Sequence, residues 1–244
     1  MNVIPVGIWG GYPKANGATS AFLIEHEGFH CLVDCGSGVL ASAQNYVPLE
    51  KLDAVVISHY HADHIADIGN LQYSRLINYY LGQPSPALPI YGHDRDKENF
   101  EKLSYKEQTI GVAIQETDIV HIGPFEVSFC ETIHPVYCLA LKFTVDGRSV
   151  TLTADTEWHD KLVEFASGTD LLISEANLYE EHLGKAPGHM AGSEAGRLAK
   201  LAGANRLVLT HLPLHGDPTD ILRAAKGVYD GDAELAVVGK VYEV

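Results

Sequence analysis

The stretch Val55 to Asp67, "VVISHYHADHIAD", decides how the rest of the chain is read. An apolar run breaks off, and three histidines and an aspartate follow within six residues: His59, His61, Asp63 and His64. In an extended chain, side chains two apart point the same way. His59, His61 and Asp63 share that parity. His64 leaves it by starting a helix, for which Asp63 is the expected N-cap. Such a segment can present two imidazoles to one point and a carboxylate plus an imidazole to a neighbouring point. That arrangement suits two metal ions a few ångströms apart.

Further donors stand at strand ends. "DAVVIS" runs into His59, "VSFCETI" into His134, "VTLTA" into Asp155 and "RLVLT" into His211. In α/β sheets, ligand sites gather outside the carboxyl ends of strands. These residues are therefore expected to converge on one rim. Histidine and aspartate are the donor types of a borderline divalent ion such as zinc.

The strand signals are short β-branched or apolar runs bounded by turn residues. They include "NVIPVGI", "AFLIEH", "HCLVDCG", "LPIYGH", "CLALKFTV", "DLLISEA" and "ELAVVG" beside those above. Helical spacing is expected over 64–81, 158–166, 191–203 with Gly203 as its stop, and 218–228. Residues 81–89, with three prolines, form a loop too short to separate domains. The reading is one α/β domain over 1–244, with mixed sheets and helices packed outside.

The chain has 244 residues, nearly half of them hydrophobic, enough for a substantial core. No segment approaches the roughly 20 apolar residues that span a bilayer, and the N-terminus has no secretory pattern. Cys31 and Cys35 lie about 13 Å apart on one extended strand, too far for a disulfide. Reduced thiols and a cytoplasmic location follow as expectations. Seventeen Lys and Arg against 32 Asp and Glu give a net charge of −15. That balance disfavours an extended nucleic-acid footprint. It leaves room for a small anionic substrate, because a metal site supplies its own positive charge.

With these residues placed, the chain resembles the metallo-β-lactamase superfamily. "HYHADH" fits its His-x-His-x-Asp-His signature, and His134, Asp155 and His211 follow in the family's order. The resemblance implies a four-layer αββα sandwich, two mixed β-sheets flanked by helices, with a dinuclear site. It assigns His59, His61 and His134 to a first ion and Asp63, His64 and His211 to a second, with Asp155 bridging. Two divalent ions are implied, zinc, or manganese given the mixed His and Asp donors.

Within the superfamily the chain is similar to the ribonuclease Z and cyclic-phosphodiesterase branch. The similarity rests on "YPKANGATSAFLI", "LVDCGSG", "LISEANL" and "GHMAGSEAGRLAKLAGANRLVLTHL". It implies phosphodiester hydrolysis by a metal-held hydroxide that Asp63 orients. It also implies that His189 protonates the leaving oxygen and that Glu175 orients His189. Imidazole suits proton donation near neutral pH. The chain departs from the branch at Ser174, Asn177 and Met190-Ala191, and it has no room for the long arm with which ribonuclease Z grips transfer RNA. The expected substrate is therefore a small linear or cyclic phosphodiester, with a homodimer as the implied assembly. The alternatives are a lactonase or thioesterase on the same scaffold, or a tRNA 3′-processing endonuclease.

Other residues carry weaker signals. Asp34 reads equally as a hydrogen-bond partner of a ligating imidazole or as a turn-forming aspartate before Gly36. His93 is expected at a solvated helix start, His215 on a surface loop, and Cys35 as a small buried residue. Trp9 and Tyr12 either stack on a nucleobase or cap the core.

Overall fold

The computed structural model describes residues 1–244. Strands β1 (Asn2–Gly7), β2 (Ala21–His26), β3 (Phe29–Val33), β4 (Ala54–Val56), β5 (Leu88–Gly92) and β6 (Thr109–Ala113) form the first sheet. Strands β7 (Ile119–Ile122), β8 (Phe125–Glu131), β9 (Leu139–Val145), β10 (Arg148–Leu152), β11 (Leu171–Glu175), β12 (Arg206–Thr210) and β13 (Asp232–Leu235) form the second. The short β14 (Tyr242–Glu243) returns to pair with β1, so each sheet has seven strands.

Alternation along the strands builds the layers. Phe22 and Ile24 of β2 face the second sheet, while Leu23 between them faces outward. Leu171 and Ile173 of β11 meet the same inner core, and Leu172 faces the opposite way. The inner core interleaves Val3, Phe22 and Ile24 with Phe125, Val127, Leu141 and Phe143. With both faces of each sheet buried, the strands read as apolar runs rather than half-polar ones.

Helices α1 (Val39–Ala43), α2 (Ala62–Ile65), α3 (Ile68–Tyr80) and α4 (Lys97–Glu101) connect strands of the first sheet. Helices α5 (Asp160–Phe165), α6 (Gly192–Ala202) and α7 (Pro218–Lys226) belong to the second. Leu71 closes the outer core of the first sheet, and Leu198 and Ile221 close that of the second. The result is the expected helix–sheet–sheet–helix order.

Pairing direction positions the site. β3, β4, β5 and β6 run parallel. So do β10, β11, β12 and β13. β9 is antiparallel to both β8 and β10, so β8 points the same way as β10. The carboxyl ends of β8, β10, β11 and β12 therefore open on one edge.

Several expectations are corrected. The pattern over 64–81 divides into α2 and α3, because the chain breaks between Ile65 and Ile68. Asp63 is not an N-cap: His61 precedes α2, and the Asp63 carboxylate is turned to other partners. Strands β6, β7 and β14 were not expected. β6 and β7 lie at sheet edges, where partial exposure weakens the apolar signal, and β14 has only two residues. Helix α6 does end at Gly203, whose φ of 65° is the left-handed stop that glycine allows.

Candidate metal centre

Seven side chains meet in two groups that share Asp155: His59, His61, His134 and Asp155, and Asp63, His64, Asp155 and His211. In the first, His61 Nδ1 lies 3.1 Å from His59 Nε2 and 3.1 Å from His134 Nε2. Asp155 Oδ2 lies 3.8 and 3.9 Å from the Nε2 atoms of His59 and His134. In the second, Asp63 Oδ2 is 3.4 Å from His64 Nε2 and 3.2 Å from His211 Nε2. Asp155 Oδ1 is 3.5 Å from His64, and its Oδ2 is 3.3 Å from His211.

These separations fit a metal. Tetrahedral donors bound at about 2.0–2.1 Å stand roughly 3.3–3.4 Å from one another. His61 Nδ1 can share one proton with only one of its two imidazole neighbours at a time, whereas a cation would accept a lone pair from all three nitrogens. His64 Nε2 is buried with no hydrogen-bond partner, an orphan that an ion would satisfy.

The other ring nitrogens are held from behind. His64 Nδ1 lies 2.7 Å from Asp34 Oδ2, and Asp34 in turn accepts from the Ser58 amide (2.8 Å) and hydroxyl (2.9 Å). His134 Nδ1 donates to the Gly188 carbonyl at 2.9 Å. His59 Nδ1 lies 3.1 Å from the Ser58 hydroxyl. Each contact points the opposite nitrogen, Nε2, at the centre.

Electrostatics follow the packing. Burial holds His59 and His134 below the ordinary histidine range, which favours the neutral imidazole that can bind a metal. Burial opposes charge on His64 too, but Asp155 and Asp34 outweigh it and push its pKa well up. Burial would raise Asp63 and Asp155, yet His211 and His64 hold both carboxyls far below their usual range.

The rim is built from strained strand ends. Asp34 after β3 (φ 60°), Ala154 after β10 (φ 51°) and His211 after β12 (φ 52°) all take left-handed backbone. Such outliers cost of order 1–3 kcal/mol each and cluster at functional sites. Gly188 (φ 86°) is required as glycine, because an added Cβ would meet His134 Nδ1 at 2.5 Å.

His189 and Glu175 stand beside the seven. Glu175 Oε1 lies 2.9 Å from His189 Nδ1. The His189 ring lies 5.4 Å from those of His134 and His211. Burial disfavours charge on His189, but the Glu175 carboxylate prevails and its pKa is pushed up to about 9. A cavity of about 430 Å³ opens over Asp63, His189 and His211.

The remaining expected residues fall as follows. Asp34 takes both of its readings, holding His64 and turning the chain. Cys35 is fully buried, and no cysteine is in a disulfide. His215 is exposed and lines the cavity mouth. Trp9 packs at the edge of the second sheet's outer core, while Tyr12, 66% exposed, lines the cavity. His93 corrects its expectation. It is only 2% exposed, between the rings of Tyr60 (4.4 Å) and Tyr137 (4.8 Å). The helix start lies further on, where Asp96 caps α4. Sequence reasoning missed the Gly11 amide, which donates to Asp63 Oδ2 at 2.8 Å, and the Glu157 carboxylate, which accepts from the Gly188 amide at 2.8 Å. Neither could have been found from residue type, since both are backbone contacts across loops.

Two seven-stranded sheets flanked by helices, with this His and Asp cluster at the strand ends, define a metal-dependent hydrolase of the metallo-β-lactamase fold. The chain belongs to the beta-lactamase superfamily: residues 30–212 match the family model described as "Beta-lactamase superfamily domain". It is 48% identical over 243 residues to the probable metallo-hydrolase YhfI of Bacillus subtilis, covering 100% of both chains. The crystal structure of that metallo-beta-lactamase fold protein superposes with a TM-score of 0.97 at 47% identity, over 100% of this chain and 99% of that one. A ribonuclease Z of Haloferax volcanii is 25% identical, over 100% of this chain and 95% of its own. The structure of a diphosphatase from the PhnP family matches at a TM-score of 0.79 and 17% identity, over 100% of this chain and 97% of that one, and shows the shared fold. No helix is long and apolar enough to cross a membrane.

Proposed function

We propose that the chain hydrolyses small linear or cyclic phosphodiesters at a centre of two divalent ions, zinc or manganese. His59, His61 and His134 hold one ion, Asp63, His64 and His211 the other, and Asp155 joins them. The observation that carries the reading is the His189–Glu175 pair set 5.4 Å from the rings of two candidate ligands, over the same cavity. The likeness to a relative named ribonuclease Z supports phosphodiesters over other esters.

Bound divalent ions would supply Lewis-acid charge and an acidified water. The chain's own groups do the rest. Asp63, anchored by the Gly11 amide and His211, orients the attacking water, whose proton passes to solvent. The water oxygen bonds to phosphorus, and the bond from phosphorus to the leaving oxygen breaks. His189, charged through Glu175, delivers a proton to that oxygen. The size of the cavity and the acidic balance of the chain favour a small substrate over an extended RNA. The homodimer belongs to this reading on the resemblance alone, and sedimentation equilibrium tests it.

The deciding experiment assays zinc- and manganese-loaded protein on phosphodiester, lactone and thioester panels. Phosphodiesters, cyclic ones included, are expected to be cleaved best, and precursor tRNA poorly. Preference for a lactone or thioester would move the chain to another hydrolase class on the same scaffold.

A further inference from the structure

The ring of His189 walls two cavities. One is the 430 Å³ space over the ligand cluster. The other, about 420 Å³, lies beyond the ring and is lined by Glu157, Trp158, Leu183, Pro187 and Glu194 among others. A phosphodiester has two ester arms on opposite sides of phosphorus. With phosphorus over the ligand cluster, the arm that leaves is the one whose oxygen meets His189. The outer cavity shares the His189 side chain with the space over the ligand cluster, so it is the space nearest to an arm whose oxygen meets His189.

The outer cavity differs in chemistry from the ligand side. Glu157 Oε1 accepts from the Gly188 amide (2.8 Å) and Glu194 Oε2 from the Ala191 amide (3.1 Å). Each carboxylate thus holds backbone with one oxygen, and its other oxygen takes no hydrogen bond within the chain. Trp158 offers a flat apolar wall. The Arg197 guanidinium, 4.5 Å over the Trp158 ring, is not among the lining groups, and no lysine or arginine is.

We propose that this outer cavity is the leaving-arm subsite of the phosphodiesterase reading above, on which it rests. It takes a neutral or cationic alcohol with a flat ring and hydroxyl or amino donors. It turns away an arm carrying a further phosphate or carboxylate. Trp158, Glu157 and Glu194 set this preference. Tyr12, Pro213 and His215, at the mouth of the other cavity, meet the retained arm.

The test uses methyl aryl phosphodiesters with metal-loaded protein. The retained arm stays methyl while the leaving phenol carries a para aminomethyl, hydroxymethyl or carboxylate group. A second series keeps 4-nitrophenol as the leaving arm and varies the retained arm through the same charges. Comparing variant with wild type on each substrate cancels intrinsic reactivity. Wild type should favour the aminomethyl over the carboxylate leaving arm, and Glu157→Gln and Glu194→Gln should each reduce that kcat/KM preference on the order of tenfold. The dependence on the retained arm should not change. Trp158→Ala should weaken all aryl leaving arms, and Trp158→Phe should restore them. Glutamine keeps the backbone contact at the head of α6, so Glu194→Gln separates charge from folding. No leaving-arm preference in wild type, or a change that follows the retained arm, overturns the subsite alone. No hydrolysis of any diester overturns the phosphodiesterase reading and the subsite with it.

Discussion

Glu175 Oε1 sits 2.9 Å from His189 Nδ1, and Glu175 itself is fixed. Its two oxygens also accept the Thr156 and Asn177 amides, each at 3.0 Å, and the side chain is 1% exposed. A carboxylate held in this way presents its charge to one nitrogen of His189, leaving Nε2 to face the substrate.

This arrangement predicts a pH profile. A general acid works only while it holds its proton, so hydrolysis of an alkyl phosphodiester should persist below the His189 pKa. It should be lost as pH rises through about 9. In Glu175→Gln the nearest carboxylate is gone, and burial is opposed only by the more distant Asp155 and Asp63. The alkaline limb should then move acidward, from about 9 towards the ordinary histidine value of ~6.5. A limb that stays in place in kcat/KM profiles would show that Glu175 does not set the proton affinity of His189.

His189→Ala should leave metal content unchanged: His189 groups with Glu175 and His211, but the proposed reading gives it a proton and assigns the two ions to the other seven side chains. It should slow cleavage of an alkoxide leaving group by on the order of 10²–10⁴. The loss should shrink with a nitrophenolate, which departs without a proton. Equal slowing of both substrates, with metals intact, would mean that His189 binds or shapes rather than protonates.

Asp63→Asn should behave differently. Asp63 faces both His64 and His211, so the change should damage good and poor leaving groups alike and lower metal occupancy. Intact occupancy with a selective loss on poor leaving groups would exchange the roles assigned to Asp63 and His189.

Asp34→Ala removes the carboxylate that orients His64 from behind. Such partners are typically worth 10–100-fold in metal affinity. Competition with a chromophoric chelator should show a loss of that size for one ion, with the other retained. Unchanged affinity would reduce Asp34 to a turn residue.

The sequence exposes most of this site because its donors are punctuation. His59, His134, Asp155 and His211 each follow an apolar strand run, and parallel topology carries those ends to one edge. Asp34 was legible as an acid beside a strand end, though not which of its two tasks it performs. His93 misled because charged neighbours on the chain hid a position that β5 carries into the interior. Edge strands β6 and β7 were missed because half-exposed strands lack a continuous apolar run. The outer cavity beside His189 is not legible in the sequence because Glu157 and Glu194, far apart along the chain, come to line one space only in the fold.

The central claim is that seven side chains hold two ions, and metal stoichiometry tests it most directly. Protein purified without chelator should carry close to two transition-metal equivalents per chain by elemental analysis. A chain with a value near zero, and no activity gained on adding zinc or manganese, would contradict the account.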